Sequence, residues 1–199
     1  MNGLAAITGW IPRVLLFALA GVIQMGLIAV MVYDRAQILR EGTEVTLRTR
    51  PVDPRDFLRG DYVVLNYEIS SLPAGALQNT TTAGRGTQVY VKLAPNAEGH
   101  FEAVSVHAEP TPVTGKEVLI RGRVTSGAFC GPEGRSFCDR LFIKYGIESY
   151  FVPEGEGREI EAARNKGRVS IVAAVTSEGR AAIKRLLLDG KPVYDEPTF

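Results

Sequence analysis

Five acidic residues are the side chains in this sequence best suited to acid and base catalysis. Paired carboxylates can divide the work of glycosidic bond hydrolysis, one as the acid and the other as the base or nucleophile. The sequence does not place them within the required distance, and a solvated face or salt bridges with Arg55 and Arg59 are commoner explanations of such residues. The five are Asp53, Asp56, Asp61, Glu148 and Glu154.

Other catalytic and metal-binding patterns have less support. The sequence contains no G-x-S-x-G nucleophile elbow, no H-E-x-x-H pair and no GxGxxG-type phosphate loop. His100 and His107 are separated by an odd spacing, which places them on opposite faces of a strand, whereas zinc requires four convergent ligands. We therefore expect neither a metal site nor a cofactor.

The only two cysteines lie close together, as Cys130-Gly-Pro-Glu-Gly-Arg-Ser-Phe-Cys138. The Gly-Pro-Glu-Gly stretch can turn the chain back and bring the two sulfurs together. A disulfide here would stabilise the fold by about 2–3 kcal/mol and would persist only in an oxidising compartment. Two unrelated thiols are the alternative.

The N-terminal region contains an apolar stretch that predicts a transmembrane helix. Val14 to Tyr33 is 20 residues without a charge, and such a helix is about 30 Å long, the thickness of the hydrocarbon core of a bilayer. Trp10 and Tyr33 flank it, and Pro12 is expected in its first turn. A buried helix of a soluble protein and a signal peptide cleaved after Ala20 are alternatives, but the apolar stretch continues past Ala20 and favours an uncleaved anchor.

Two features of the sequence predict opposite orientations for this helix. Arg35, Arg40, Arg48 and Arg50 follow the span while Arg13 precedes it, so the positive-inside rule places the following domain in the cytoplasm. The cysteine pair favours an oxidising compartment. We expect a single-pass protein of the bacterial cytoplasmic membrane with an extracytoplasmic, periplasmic domain.

Charge and length limit what that domain can be. Residues 34–199 contain 22 basic and 22 acidic side chains, because Arg13 is the only charged residue before them, and a domain without net charge lacks the basic footprint of a nucleic-acid binder. A chain of 199 residues has room for one ordinary domain and an appendage. We expect four segments: an N-terminal flank 1–13, the transmembrane helix 14–33, a juxtamembrane segment 34–42 and one β-rich domain 43–199.

Period-two alternation of apolar residues predicts a mainly β domain, a sandwich or partly open barrel of about eight or nine strands with one or two short helices. Short helices are expected over 54–59 and 153–165, an exposed loop over 71–87, and a meander as the order of the strands. The segment 180–188 could instead be helical, since Ala, Lys, Arg and Leu favour helix. The expected strands are 44–49, 61–69, 88–93, 101–108, 117–125, 141–152, 168–176, 180–188 and 191–194.

The most regular of these strands contains the motif Gly60-Asp61-Tyr62-Val63-Val64-Leu65-Asn66-Tyr67, in which alternate residues from Val63 to Ile69 form one apolar face. The motif matches, letter by letter, the pattern that names the GDYXXLXY protein family, and the chain resembles that family also at Tyr145 to Gly155 and Asp189 to Lys191. The resemblance implies a bacterial membrane-anchored protein and a multi-pass membrane protein as its partner, without a specific activity. The motif residues with a possible functional role are Gly60, Asp61, Tyr62, Leu65, Tyr67, Tyr145, Glu148 and Glu154.

Two functions from different classes follow. The first is an accessory or interaction domain that contacts a neighbouring membrane protein, and we expect it over an enzyme. The second is a cell-envelope hydrolase that uses the acidic residues above. A concave pocket collecting Glu148, Glu154 and a motif aspartate would favour the hydrolase, whereas a filled core with these residues scattered in turns would favour the binding domain.

Overall fold

The computed structural model describes residues 4–51, 62–78, 83–126, 140–151, 160 and 163–195, and for 4–13, 62–63, 74, 77–78 and 151 it describes the backbone alone. The chain divides into two compact units, Met1–Gln37 and Ile38–Phe199.

Helix α1 spans Leu4–Glu41. Its residues up to Gln37 belong to the first unit, and its last residues, from Ile38, belong to the second. The helix begins earlier than expected, so Pro12 is not in its first turn. From Val14 to Tyr33 its large apolar side chains face outward; Leu15, Phe17, Met25 and Met31 are 64–78% exposed. Val14–Glu41 is long and apolar enough to cross a membrane, a property that uncleaved anchors share with secretion signals.

The second unit begins at the end of α1, where Ile38 and Leu39 are buried against Ala174 and Ala182. Gly42 then ends the helix, and its N–H donates to the carbonyl of Ile38 at 3.0 Å. A Cβ on Gly42 would lie 2.6 Å from that carbonyl oxygen, which is closer than any side chain tolerates. The transition from helix to strand therefore requires glycine.

The described part of the second unit contains thirteen strands, of which eight have five residues or more. The mainly β class is confirmed. The strands are β1 (Thr43–Arg50), β2 (Tyr62–Val64), β3 (Asn66–Tyr67), β4 (Ser71–Pro73), β5 (Leu77–Gln78), β6 (Gln88–Pro95), β7 (Phe101–His107), β8 (Val118–Ser126), β9 (Arg140–Lys144), β10 (Ser149–Phe151), β11 (Val169–Val175), β12 (Ala181–Leu188) and β13 (Lys191–Asp195).

Two larger sheets share one core. Their strand orders are β13-β12-β11-β1-β3 and β4-β9-β8-β6-β7-β5, and β2 and β10 form a separate pair. The core combines side chains of both sheets, among them Val45 and Ile171 from the first and Val91, Ile120 and Ile143 from the second. This shared core agrees with the expected class, a sandwich or partly open barrel.

The order of the strands differs from a meander. β1 pairs antiparallel with β11, with Thr43 opposite Val175 and Arg48 opposite Ser170. All seven residues of β11 are buried, as expected of a central strand covered on both faces. The N-terminal strand thus joins the C-terminal hairpin, a long-range pairing that local sequence patterns do not reveal.

Both motif strands are interrupted. The expected strand 61–69 is divided at Leu65 into β2 and β3, which pair with different partners, and is followed by a short 3₁₀ helix, Glu68–Ser70. Its alternation is nevertheless confirmed, since Leu65, Tyr67 and Ile69 are buried. The expected strand 141–152 is likewise divided, into β9 and β10.

The remaining expectations have mixed outcomes. The segment 71–87 is not simply an exposed loop, because it contains β4 and β5 and its Leu72 and Ala83 are buried. Residues 180–188 form strand β12, not a helix, and the Asp189-Gly190 hairpin turn is confirmed by positive φ at both residues, 50° and 77°.

Of the two expected helices, 54–59 lies outside the described residues. In 153–165 the described residues, Ile160 and 163–165, are helical. Gly167 (φ 69°) ends this helix, since the N–H groups of Gly167 and Arg168 donate to the carbonyls of Arg164 and Ala163.

Candidate functional site

The two motifs identified in the sequence lie against each other. β2, from the first motif, pairs antiparallel with β10, from the second, with Val64 opposite Ser149. The N–H of Leu65, at the break between β2 and β3, donates to the carbonyl of Glu148 at 2.7 Å. The break therefore leaves no unsatisfied amide at Leu65, and the first motif connects the second motif to β1.

Two buried tyrosines stabilise this junction by donating hydrogen bonds to backbone carbonyls. The hydroxyl of Tyr67 donates to the carbonyl of Ile147, and the hydroxyl of Tyr145 donates to the carbonyl of Ile69 at 2.7 Å. Burial, and secondly the nearby charge of Glu148, raises the pKa of both tyrosines well above the ordinary value. Both hydroxyls therefore stay protonated at neutral pH and act as hydrogen-bond donors.

Glu148 stabilises the turn between β9 and β10. Its carboxylate accepts hydrogen bonds from the N–H of Tyr145 at 2.5 Å and from the N–H of Gly146 at 3.0 Å. Gly146 has φ of 81°, a conformation that favours glycine. The carboxylate thus holds a turn that favours glycine, which is a structural role for the one acidic candidate that the structure describes.

A buried arginine that sequence reasoning missed also lies at this junction. Arg164 is 1% exposed, and its guanidinium donates to the carbonyl of Val64, the last residue of β2. It also donates to the side-chain oxygen of Asn165, from Nε at 3.3 Å and Nη2 at 3.2 Å. Its partner on β2 is 100 residues away in sequence, so no local signal could have indicated its burial.

The other predicted site residues are placed as follows. Leu65 is fully buried in the core, and Tyr62 forms part of β2 by its backbone. The rest lie outside the described residues, so the expected gathering of carboxylates and the expected disulfide both remain predictions. These residues are Asp53, Asp56, Gly60, Asp61, Glu154, Cys130 and Cys138.

Beside the junction is an open cleft of about 410 Å³, which we call the motif cleft. Arg50 and Lys144 are its charged residues, and Phe142, 44% exposed, is its largest accessible apolar side chain. Its lining residues are Arg50, Pro51, Asn66, Tyr67, Ser70, Ser71, Thr125, Ser126, Phe142, Ile143 and Lys144.

A second depression, of about 290 Å³, shares Lys144 with the motif cleft. It contains Arg121 and Arg123 of β8, and Arg123 lies directly opposite Lys144 of β9. We call Arg121, Arg123 and Lys144 the basic surface. None of the three forms an ion pair with a residue that the structure describes, although the Arg123 guanidinium donates to the carbonyl of Gly86 at 3.1 Å.

The described lining of these clefts is suited to binding anions. No carboxylate is among the described residues that line either of them. Their cations, hydroxyls and one aromatic ring can bind acidic and apolar groups. No cluster of three or more metal-ligating side chains occurs in the described part of the chain.

One pair of side chains elsewhere resembles part of a catalytic site. Ser105 Oγ lies 2.8 Å from His107 Nε2 on β7, an arrangement that their two-residue spacing on a strand allows. Both residues are about 95% buried, however, with exposed fractions of 4% and 5%. Burial, and secondly the positive charge of Lys92, lowers the pKa of His107, so the imidazole is neutral at neutral pH and the pair is part of the packed interior.

Comparison with known proteins agrees with the motif. The family model described as "GDYXXLXY protein" matches residues 24–186, well over half of the chain. No curated protein and no solved structure matches the chain.

Proposed function

The chain belongs to the GDYXXLXY protein family, and we propose that it is a membrane-anchored domain that holds a neighbouring multi-pass membrane protein rather than catalysing a reaction. The apolar helix α1 supports the anchor, because its length and composition fit a span.

The observation that carries this proposal is the contrast between the motif junction and the surface beside it. Tyr67, Tyr145 and Glu148 each use their polar atoms to bond backbone groups inside the domain. Arg123 and Lys144, in contrast, line a depression open to solvent. A polar interior that fixes the fold, next to accessible cations and an exposed aromatic ring, is typical of a binding surface.

We further propose that the domain lies on the extracytoplasmic side of the bacterial cytoplasmic membrane. The short Cys130-to-Cys138 segment supports this side, since a disulfide there would require an oxidising compartment. Thiol labelling of intact cells and membranes without reductant tests it. Resistance of both cysteines until a reductant is added is the expected result, and labelling from the cytoplasmic side without reductant would reverse the orientation.

Chemical crosslinking in native membranes tests the binding function. With the full chain tagged, we expect a discrete heavier adduct that contains a multi-pass membrane protein. The matched control replaces residues 14–33 by an unrelated membrane span, and the adduct should persist if the domain does the binding. Recovery of the uncrosslinked chain alone under every condition would contradict the proposal.

A further inference from the structure

We propose that the basic surface and the adjoining motif cleft bind an extended acidic segment of a partner protein; this inference rests on the proposed function and names the chemistry of the partner. The basic surface consists of Arg121, Arg123 and Lys144, defined above.

The first argument is the placement of the cations. Arg123 and Lys144 are directly opposite on antiparallel strands, where like charges destabilise the pairing. Arg121 precedes Arg123 by two residues and lies on the same face of β8. An anion bound between these three side chains would relieve their mutual repulsion.

The second argument is that the charges of these three side chains are not neutralised by the described part of the domain. None of the three forms an ion pair with a described carboxylate, whereas six other cations do. The six are Arg48, Lys92, Arg168, Arg180, Lys184 and Arg185.

The third argument is spacing. Side chains two residues apart on a strand are about 6.8 Å apart, which separates Arg121 from Arg123, and the same repeat separates alternate side chains of an extended peptide. Lys144 is about 5 Å across the sheet from Arg123. An extended segment with acidic residues at alternate positions therefore matches these cations.

The fourth argument is the motif cleft on the other side of Lys144. Phe142 gives it an apolar surface, while Asn66 and Ser126 supply polar groups that can bond a peptide backbone. Aromatic side chains and arginine are enriched at protein interfaces. This mixture suits a polypeptide better than a lone phosphate, which favours closely converging donors.

Direct binding measurements test the inference with the full chain in nanodiscs of neutral phosphatidylcholine. The probe is a fluorescent peptide of alternating glutamate and serine, followed by anisotropy, and the lysine-serine peptide is its counterpart. We expect the acidic peptide to bind and the lysine-serine peptide not to bind. The affinity for the acidic peptide should decrease as salt is added. Arg123→Gln with Lys144→Gln should weaken binding about tenfold or more.

The matched control removes the same charge elsewhere, by Lys166→Gln with Lys191→Gln, both exposed. This control should bind the acidic peptide as the wild type does, and unchanged pulse proteolysis would show that both variants fold. Equal affinity of the two variants would overturn the inference. So would failure of the peptide to bind while phosphatidylglycerol vesicles bind and lose binding in Arg123→Gln with Lys144→Gln, since the ligand would then be lipid.

The membrane crosslinking experiment separates this inference from the proposed function. If the adduct persists in Arg123→Gln with Lys144→Gln, docking uses another surface, so this inference fails and the proposed function stands. If the wild type gives no adduct but binds the acidic peptide, the proposed function fails while the anion-binding surface stands.

Discussion

Tyr67 and Tyr145 form a reciprocal latch: each donates its hydroxyl to a backbone carbonyl beside the other, Tyr67 to Ile147 and Tyr145 to Ile69. The two motif tyrosines are nearly 80 residues apart in sequence. Their hydrogen bonds join the first motif, beside its break at Leu65, to the turn in the second motif. The latch assigns both tyrosines a structural role.

Tyr67→Phe and Tyr145→Phe should each lower the free energy of unfolding by about 1–3 kcal/mol, because each leaves a buried carbonyl without its donor. Pulse proteolysis across a urea series measures this in the full chain. Tyr90→Phe is the control, since the Tyr90 hydroxyl accepts a hydrogen bond from the exposed side chain of Gln88 at 2.8 Å. Unchanged stability in both motif variants would contradict the structural role.

Glu148→Ala should destabilise the domain by about 1–3 kcal/mol, because the N–H groups of Tyr145 and Gly146 lose their acceptor. Glu148→Gln keeps one acceptor oxygen and should cost less. The same proteolysis assay ranks the two variants. Equal stability of the wild type and Glu148→Ala would show that the carboxylate does not hold the turn.

Gly122→Ala should be among the most damaging small substitutions in the domain. A Cβ there would lie 2.3 Å from Ile143 Cγ2 and 3.0 Å from the ring of Tyr145, and such overpacking costs about 1–3 kcal/mol. Gly75→Ala is the matched control, since nothing lies within 4 Å of its Cβ position. The prediction fails if the two alanine variants have equal unfolding midpoints.

His107 should make the domain less stable as the pH falls. Burial, and secondly the charge of Lys92, lowers its pKa in the folded state below the ordinary value of 6.5, so at pH values just below 6.5 the unfolded chain binds the proton more readily. The contribution of neutral His107 to the free energy of unfolding is fully present above pH 6.5. It is lost as the pH falls through the lower pKa of the folded state. Unfolding measured across pH 7 to 5 should show a shallower decline in His107→Gln, and parallel curves for the two proteins would contradict the assignment.

Local patterns predicted what depends on neighbouring residues. The alternation from Leu65 to Ile69 correctly indicated which side chains are buried, and Asp189-Gly190 correctly indicated a hairpin. The break at Leu65 could not be predicted in the same way, because it arises from β2 pairing with β10 and β3 pairing with β1, two strands that are far apart in sequence.

The candidate binding surface was hidden for a related reason. The equal numbers of basic and acidic residues after the membrane segment indicated no charged footprint, and the positions of Arg121 and Arg123 indicated only a common strand face. The pairing of β8 with β9 brings Lys144 opposite Arg123. Net charge does not report such a cluster, because it depends on which strands are neighbours.

The central claim is that this membrane-anchored domain holds a partner through its basic surface, and site-specific photocrosslinking in native membranes tests it most directly. A photoreactive phenylalanine analogue replaces Gln88, which lies opposite Arg123, and in a control it replaces Lys166. We predict one discrete protein adduct from position 88, none from position 166, and loss of the adduct when Arg123→Gln and Lys144→Gln are added. Equal labelling from both positions, or an adduct unaffected by removal of the two charges, would contradict the account.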